Sequence, residues 1–131
     1  MKFTVDRIDH IVMTCNDLSI TAGWYQRVLG MEREEFGQEG RTALKFGGQK
    51  INLYTAHEDP ANTGTSAGAG SASLCFICGV GTEDVIRHLE QCGVTVEKGP
   101  VPRLGALGPM SSVYCRDPDG NLIEIATYLD D

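Results

Sequence analysis

Two residues with strong metal-binding side chains, His10 and Glu124, lie within apolar segments of the 131-residue chain. His10 stands in IDHIV and Glu124 in LIEIA, so each is a polar group among residues that normally form a core. Imidazole and carboxylate groups bind divalent ions, and a carboxylate can also move a proton. Without a metal, His10 would be a satisfied core side chain, and Glu124 would need a partner or a solvent-exposed face.

Other polar side chains are weaker candidates. Cys75 and Cys78 form a CxxC sequence, but positions three apart in a strand point to opposite faces, so redox or zinc use is not expected. His57 could reach a nearby site or be a surface residue. The segment Pro100–Pro109, which contains Arg103, could be a lid over a concave site or a plain connection.

The elements that must position these residues begin with a strand over residues 5–14, whose alternation puts His10 and Val12 on one face. Asp17 is placed to cap the following helix, and Gly30 is placed to end it. Three short strands are then predicted, with bounds Met31–Phe36, Thr42–Phe46 and Lys50–Ala56.

The same order of elements returns after a linker of about residues 58–71, rich in Gly, Ala, Ser and Thr. Thr82 is expected to cap the second helix. The other predicted elements are strand Ser73–Val80, strand Val94–Lys98, loop Gly99–Pro109, strand Met110–Arg116, turn Asp117–Gly120 with solvated acids, and strand Asn121–Tyr128.

The repeat predicts an α+β fold of two βαβββ units that form a cup-shaped mixed sheet with the helices outside. We expect one domain over residues 1–131, with repeat one at about 4–57 and repeat two at about 72–129. If the halves are equivalent, His10 corresponds to a position near Ser73, and Asn52 corresponds to Glu124. All four side chains would then point into the cups.

The composition limits the partners. The chain has 11 Lys and Arg against 18 Asp and Glu, a net charge of −7, so nucleic acid and anionic membranes are poor partners. Five cysteines cannot all pair within one chain, and the first residues contain no secretory signal, so we expect a cytoplasmic protein with reduced thiols.

Three segments, Ile8–Val12, Trp24–Met31 and Arg116–Glu124, resemble the vicinal oxygen chelate superfamily in order and spacing. That superfamily includes glyoxalase I, fosfomycin-resistance proteins and extradiol dioxygenases. Phe46–Leu53 and Gly99–Arg103 resemble its short glyoxalase-domain-containing proteins, among them bacterial members labelled virulence proteins. The resemblance implies a divalent metal (Ni, Zn, Mn, Co or Fe) that activates vicinal oxygens of a substrate. It also implies a homodimer in which half-sheets of two chains complete each cup.

The resemblance places His10 and Glu124 at the first and last metal-ligand positions. Asn52 stands where Glu is common, and Ser73 or its neighbour where His is usual. The residues that we expect to contact a substrate are Asn52, Tyr54, Ser73 and Arg103.

Two functions are compatible with this set. The first is a metal-assisted lyase or isomerase of the lactoylglutathione lyase type, acting on a small oxygenated molecule, with Glu124 or a bound water moving the proton. The second is a metal-free protein that binds or sequesters a small molecule, as bleomycin-resistance members do. In the second case the negative net charge would favour a cationic ligand.

Overall fold

The computed structural model describes residues 2–55 and 63–129. Its contacts divide the chain into two compact units, unit 1 (Met1–Gly68) and unit 2 (Ala69–Asp131). Unit 1 contains β1 (His10–Cys15), α1 (Leu18–Leu29), β2 (Glu32–Phe36), β3 (Arg41–Phe46) and β4 (Gln49–Thr55). Unit 2 contains β5 (Ser73–Ile77), α2 (Thr82–Gln91), β6 (Lys98–Gly105), β7 (Gly108–Arg116) and β8 (Leu122–Tyr128).

Each unit is a βαβββ motif with a four-stranded mixed sheet. The strand orders are β1-β4-β3-β2 and β5-β8-β7-β6. In each sheet the first strand runs parallel to the last, and the remaining pairs are antiparallel. The predicted α+β fold of two βαβββ repeats is therefore confirmed.

In unit 1, α1 covers the face of the sheet that carries Met13. The Tyr25 hydroxyl on α1 lies 3.9 Å from the Met13 sulfur, and both side chains are buried. Asp17 Oδ1 accepts a hydrogen bond of 2.9 Å from the backbone N–H of Ile20, and Gly30 ends the helix with φ +67°. Both end signals read from the sequence are confirmed, and they fix where the helix starts and stops along the sheet.

In unit 2, α2 covers the corresponding face. Buried apolar residues of β7 and β8, such as Val113 and Ile123, alternate along this face, and Leu89 of α2 is fully buried. Thr127, which shares the face of Ile123, hydrogen-bonds the carbonyl oxygen of Val80 just before α2. The helix therefore lies on one apolar side, and the other side of the sheet carries polar residues such as Glu124 and Ser112 together with apolar ones such as Met110 and Ala126.

Two predicted boundaries were wrong: the start of β1 and the N-cap of α2. β1 begins at His10, because its neighbour β4 begins at Gln49 and earlier residues have no strand to pair with. Thr82 is the first residue of α2, and Gly81 is its N-cap without a side-chain hydrogen bond. His57 and the first part of the predicted linker lie outside the described residues.

The predicted loop Gly99–Pro109 was also wrong, as was a strand at Val94–Lys98. Lys98–Gly105 is β6, which forms a hairpin with β7. The prolines that favoured a loop are tolerated because β6 is an edge strand, where a missing N–H need not interrupt the sheet. Arg103 therefore lies on a strand and not in a lid.

The turn before β8 also differs from its prediction. Asp117 is 5% exposed, and its Oδ1 accepts hydrogen bonds from the backbone N–H groups of Asp119 and Asn121, both at 2.9 Å. The expectation of a solvated Asp117 was wrong because the carboxylate satisfies the turn's own N–H groups. No helix in the described part of the chain has the length and hydropathy needed to cross a bilayer.

Candidate functional site

The side of the unit 1 sheet opposite α1, here called the helix-free face of unit 1, is polar at its centre. It contains His10, Val12 and Thr14 of β1, which pair in register with Lys50, Asn52 and Tyr54 of β4. Asn52 is 6% exposed, and its Oδ1 is buried without a hydrogen-bond partner. A buried carbonyl oxygen in that condition costs about 1–3 kcal/mol, so the position is expensive for the fold alone.

His10 lies at the start of β1 and is only partly buried. Its Nδ1 lies 2.8 Å from Asp9 Oδ2, and the His10 side chain is 45% exposed. This hydrogen bond is the main cause that lowers the pKa of Asp9. Because a carboxylate can only accept, Nδ1 carries the proton and Nε2 is the ring nitrogen left to accept or to bind a metal. The interpretation of His10 as a satisfied core side chain is therefore wrong.

Tyr54 is held by a cation beside it. The Arg41 guanidinium carbon lies 4.7 Å from the centroid of the Tyr54 ring, and Arg41 also pairs with Glu39 at 2.8 Å. Arg41 lines a shallow cavity of about 320 Å³ at this end of the sheet, together with Thr42 and Leu53. Tyr54 thus has a fixed ring orientation, stabilised by the cation–π contact.

The side of the unit 2 sheet opposite α2, the helix-free face of unit 2, holds Ser73, Cys75, Arg103, Ser112, Tyr114 and Glu124. Glu124 pairs in register with Cys75 on one side and Tyr114 on the other. One carboxylate oxygen, Oε2, is buried without a hydrogen-bond partner. The interpretation of Glu124 as a fully solvated side chain is therefore wrong.

Cys75 is a protonated neighbour of this carboxylate. Burial, and then the charge and hydrogen bonding of Glu124, raise the pKa of the Cys75 thiol to about 11. A thiol with so high a pKa is neither a good nucleophile nor a metal ligand near neutral pH. Cys78 lies 3.5 Å from Thr127 on the other side of the sheet, so the two cysteines diverge as the strand geometry predicts.

Ser112 and Tyr114 were not selected from the sequence. Ser112 is 0% exposed, and its Oγ has no hydrogen-bond partner. Tyr114 accepts a hydrogen bond of 2.9 Å at Oη from Arg103 Nε. The alternation along β7 would have placed both on the Glu124 face, but only once the register with β8 was known.

The two helix-free faces have equivalent registers. His10 pairs with Lys50 as Ser73 pairs with Leu122, and in the next position Val12 pairs with Asn52 as Cys75 pairs with Glu124. The structure thus places His10, Asn52 and Tyr54 on one face of unit 1, with His10 and Tyr54 at opposite ends of the paired strands. It brings Glu124, Ser73 and Arg103 to one face in unit 2.

The donor atoms on these two faces decide whether a resident divalent metal fits. Among residues 2–55 and 63–129 there is no group of three His, Cys, Asp or Glu side chains that could hold an ion. Unit 1 offers the imidazole of His10 and the amide of Asn52, and unit 2 offers the carboxylate of Glu124 beside the protonated Cys75. Protein zinc sites and related centres use at least three strong ligands, so this donor set does not fit a tightly held ion.

Comparison with known proteins gives a consistent result over nearly the whole chain. Residues 7–125 match the family described as the Glyoxalase/Bleomycin resistance protein/Dioxygenase superfamily. Virulence protein STM3117 of Salmonella typhimurium is 44% identical over 129 residues, which cover 98% of this chain and 89% of that protein. Glyoxalase domain-containing protein RDO1 of Mycosarcoma maydis is also 44% identical over 129 residues, covering 98% of this chain and 72% of that protein.

Among solved structures, an integron cassette protein from the mobile metagenome of V. cholerae has a TM-score of 0.94. It is 44% identical, and the match covers 98% of this chain and 100% of that one. The two βαβββ units are thus shared with a solved structure whose sequence is similar along its full length.

Proposed function

Because the chain belongs to the glyoxalase, bleomycin resistance protein and dioxygenase superfamily, we propose that it binds a small oxygenated molecule on its helix-free faces without a resident metal. One observation carries this proposal. The buried side-chain oxygens that lack a partner in the described residues are Asn52 Oδ1, Ser112 Oγ and Glu124 Oε2. All three lie on helix-free faces.

Unsatisfied buried oxygens are rare in folded proteins, because each loses its hydrogen bonds to water. If the fold alone set these positions, apolar residues would serve better there, as they do on the helix-covered faces. A molecule with hydroxyl or amine donors that binds on the helix-free face of unit 1 would satisfy Asn52 Oδ1, and one that binds on the helix-free face of unit 2 would satisfy Glu124 Oε2. Tyr54 is proposed as a further contact in unit 1, and Ser73 and Arg103 as further contacts in unit 2.

The test is ligand-observed NMR of the full chain, in EDTA, against small hydroxylated and carbonyl compounds. We expect compounds whose binding is weakened at least tenfold by Glu124→Gln or Asn52→Ala, since each variant removes an acceptor. Glu90→Gln, at an exposed carboxylate on α2 away from both helix-free faces, is the matched control and should leave binding unchanged. Binding that ignores both site variants would refute the proposal.

A second candidate is the metal-assisted lyase or isomerase, with Glu124 as the proton acceptor. It is favoured by the orientation of His10, whose Nδ1–H bonds Asp9 and leaves Nε2 available. Carboxylate-oriented imidazoles of this kind are common metal ligands. Elemental analysis of protein purified without chelator, followed by titration with Ni, Zn, Mn, Co and Fe, separates the two candidates. Stoichiometric metal that is lost in His10→Ala and in Glu124→Gln would favour the lyase or isomerase.

We also propose a single domain over residues 1–131 that forms a homodimer in the cytoplasm. The family match over residues 7–125 spans parts of both units, which supports one domain with repeats at about 4–57 and 72–129. Members of this superfamily bind small molecules and often dimerise. Free thiols at Cys75, Cys78 and Cys115 suit a reducing compartment. Light scattering coupled to size-exclusion chromatography tests the dimer, since a monomer mass at micromolar concentration would contradict it.

A further inference from the structure

Arg103 on the helix-free face of unit 2 is a cation held by a phenol. Its Nε donates to Tyr114 Oη at 2.9 Å, and its Nη1 donates to the Pro102 carbonyl at 3.0 Å. The guanidinium carbon lies 5.5 Å from the Tyr114 ring centroid. No carboxylate in the described residues forms an ion pair with Arg103, whereas Arg33, Arg41, Arg87 and Arg116 each have one.

The two hydrogen bonds leave the outer edge of the guanidinium available. A guanidinium has five N–H donors, and the contacts above use the one on Nε and one on Nη1. Both hydrogens of Nη2 and the second hydrogen of Nη1 therefore have no acceptor among the described residues. These donors form the fork that binds the two oxygens of a carboxylate side by side.

The groups next to this fork are suited to a hydroxyl. Tyr114, which holds Arg103, pairs in register with Glu124, and Ser112 lies two residues away on the same face of β7. Glu124 Oε2 and Ser112 Oγ are both buried without a partner. An ionised carboxylate only accepts and a serine hydroxyl can donate, so together they match a hydroxyl, which donates one hydrogen bond and accepts another. An ammonium group would leave the serine hydrogen without an acceptor.

We propose that the helix-free face of unit 2 binds a small hydroxy acid, with its carboxylate on Arg103 and its hydroxyl between Glu124 and Ser112. This inference rests on the proposed binding function and names the class of its ligand. Tyr114 acts as a positioning residue that fixes the guanidinium.

The negative net charge of the chain does not oppose this assignment. Exposed charges farther than about 10 Å are largely screened at 0.1 M salt, so nearby groups dominate. Lys98 pairs in register with Tyr114, and it has no ion-pair partner among the described residues. The charged groups at the Tyr114 end of this face are the cations Lys98 and Arg103, the ion pair of Arg116 with Glu97, and the carboxylate of Glu124.

The experiment is calorimetric titration of the full chain with four probes: lactate, mandelate, and the neutral amides lactamide and mandelamide. We expect at least one acid to bind at least tenfold more tightly than its amide. Arg103→Gln and Arg103→Lys should each weaken the acid at least tenfold, because neither an amide nor an ammonium can reproduce the fork. Tyr114→Phe should weaken it less, and it should leave the weak binding of the amide unchanged. A purely structural Tyr114 would alter both.

Arg87→Gln is the matched control, since it removes the same charge from α2 on the opposite side of unit 2. Circular dichroism of each variant checks that it is folded. The assignment is overturned if neither acid binds, if amides bind as tightly as acids, or if Arg87→Gln weakens the acids as much as Arg103→Gln does. Inorganic phosphate that binds through Arg103 when neither acid does would overturn the hydroxy acid in favour of a phosphate ligand. Neutral compounds that bind through Glu124 but not through Arg103 would leave the proposed function intact and refute only this inference.

Discussion

Two buried asparagines allow a direct comparison of a structural amide with a candidate ligand-binding amide. Asn121 is 0% exposed, its Nδ2 donates to Asp117 Oδ2 at 2.7 Å, and its Oδ1 accepts from the Ala72 N–H at 2.8 Å. Asn52 is 6% exposed, and its Oδ1 has no partner. The same change to alanine at both positions removes the same atoms from buried surroundings.

The expected costs differ because the hydrogen bonds differ. Asn121→Ala leaves the Ala72 N–H without its acceptor and removes a hydrogen bond to a buried carboxylate, about 3 kcal/mol in total. Asn52→Ala loses no hydrogen bond at Oδ1, so its cost is about 1 kcal/mol, the median for point variants. The difference of about 2 kcal/mol corresponds to roughly 6–10 °C in Tm for a chain of this size.

Urea unfolding followed by far-UV circular dichroism measures both free energies of unfolding. Fluorescence of Trp24, the single tryptophan, reports on unit 1 and serves as the second probe. Asn121→Ala should lower the midpoint clearly, and Asn52→Ala should lower it only slightly while weakening at least tenfold any ligand bound on the helix-free face of unit 1. Equal losses of stability at the two positions would refute the reasoning, since they would show that Asn52 Oδ1 is as well satisfied as Asn121 Oδ1.

Three further outcomes follow from the described contacts. Asp17→Ala should lower the free energy of unfolding by about 1 kcal/mol, because it removes the side chain that caps α1. Asp17→Asn keeps a capping oxygen and should lower it by much less, and urea titration distinguishes the two variants. Cys75 should react slowly with iodoacetamide at pH 8, since burial and Glu124 raise the pKa of its thiol to about 11. Glu124→Gln should lower that pKa and speed the labelling of Cys75, measured by peptide mass spectrometry. An unchanged labelling rate would contradict the coupling between Glu124 and Cys75. Thr42 donates to Glu35 at 2.7 Å and is the main cause that lowers the Glu35 pKa, so Thr42→Val should raise that pKa in an NMR titration.

The parts of the fold that were predictable depend on local signals. Asp17 and Gly30 delimit α1 through hydrogen bonds and φ values that involve only neighbouring residues. Thr82 carries an equally good capping side chain, but Gly81 occupies the N-cap, and the choice between adjacent residues depends on how α2 packs on β7 and β8. β6 was missed because its prolines indicate a loop, and only the strand order reveals that they lie at an edge.

The candidate site was predictable where the repeat exposed it. Asn52 and Glu124 were paired because they lie on the last strands of the two repeats, and their registers are in fact equivalent. Ser112 depends on the register of β7 with β8, and the Arg103–Tyr114 hydrogen bond depends on the hairpin of β6 and β7, which the sequence did not indicate. The alternation of apolar and polar residues predicts which side chains share a face of one strand, but it does not predict which residues of neighbouring strands lie opposite each other, because that depends on the register.

Comparison of the two repeats separates residues kept for packing from residues kept for binding at one pair of equivalent positions, Asn52 and Glu124. Asn52 and Glu124 each follow a helix-covered isoleucine that is 0% exposed, Ile51 and Ile123. The isoleucines are identical in both halves, as packing against a helix requires. Their polar neighbours have changed from amide to carboxylate, and yet each keeps a buried oxygen without a partner. A residue selected for packing would not retain that cost in two different chemistries, whereas a binding surface needs an unpaired acceptor of a particular charge at each position. The two halves therefore share one scaffold and present different acceptors, and the anionic one lies on the same face as the cation Arg103.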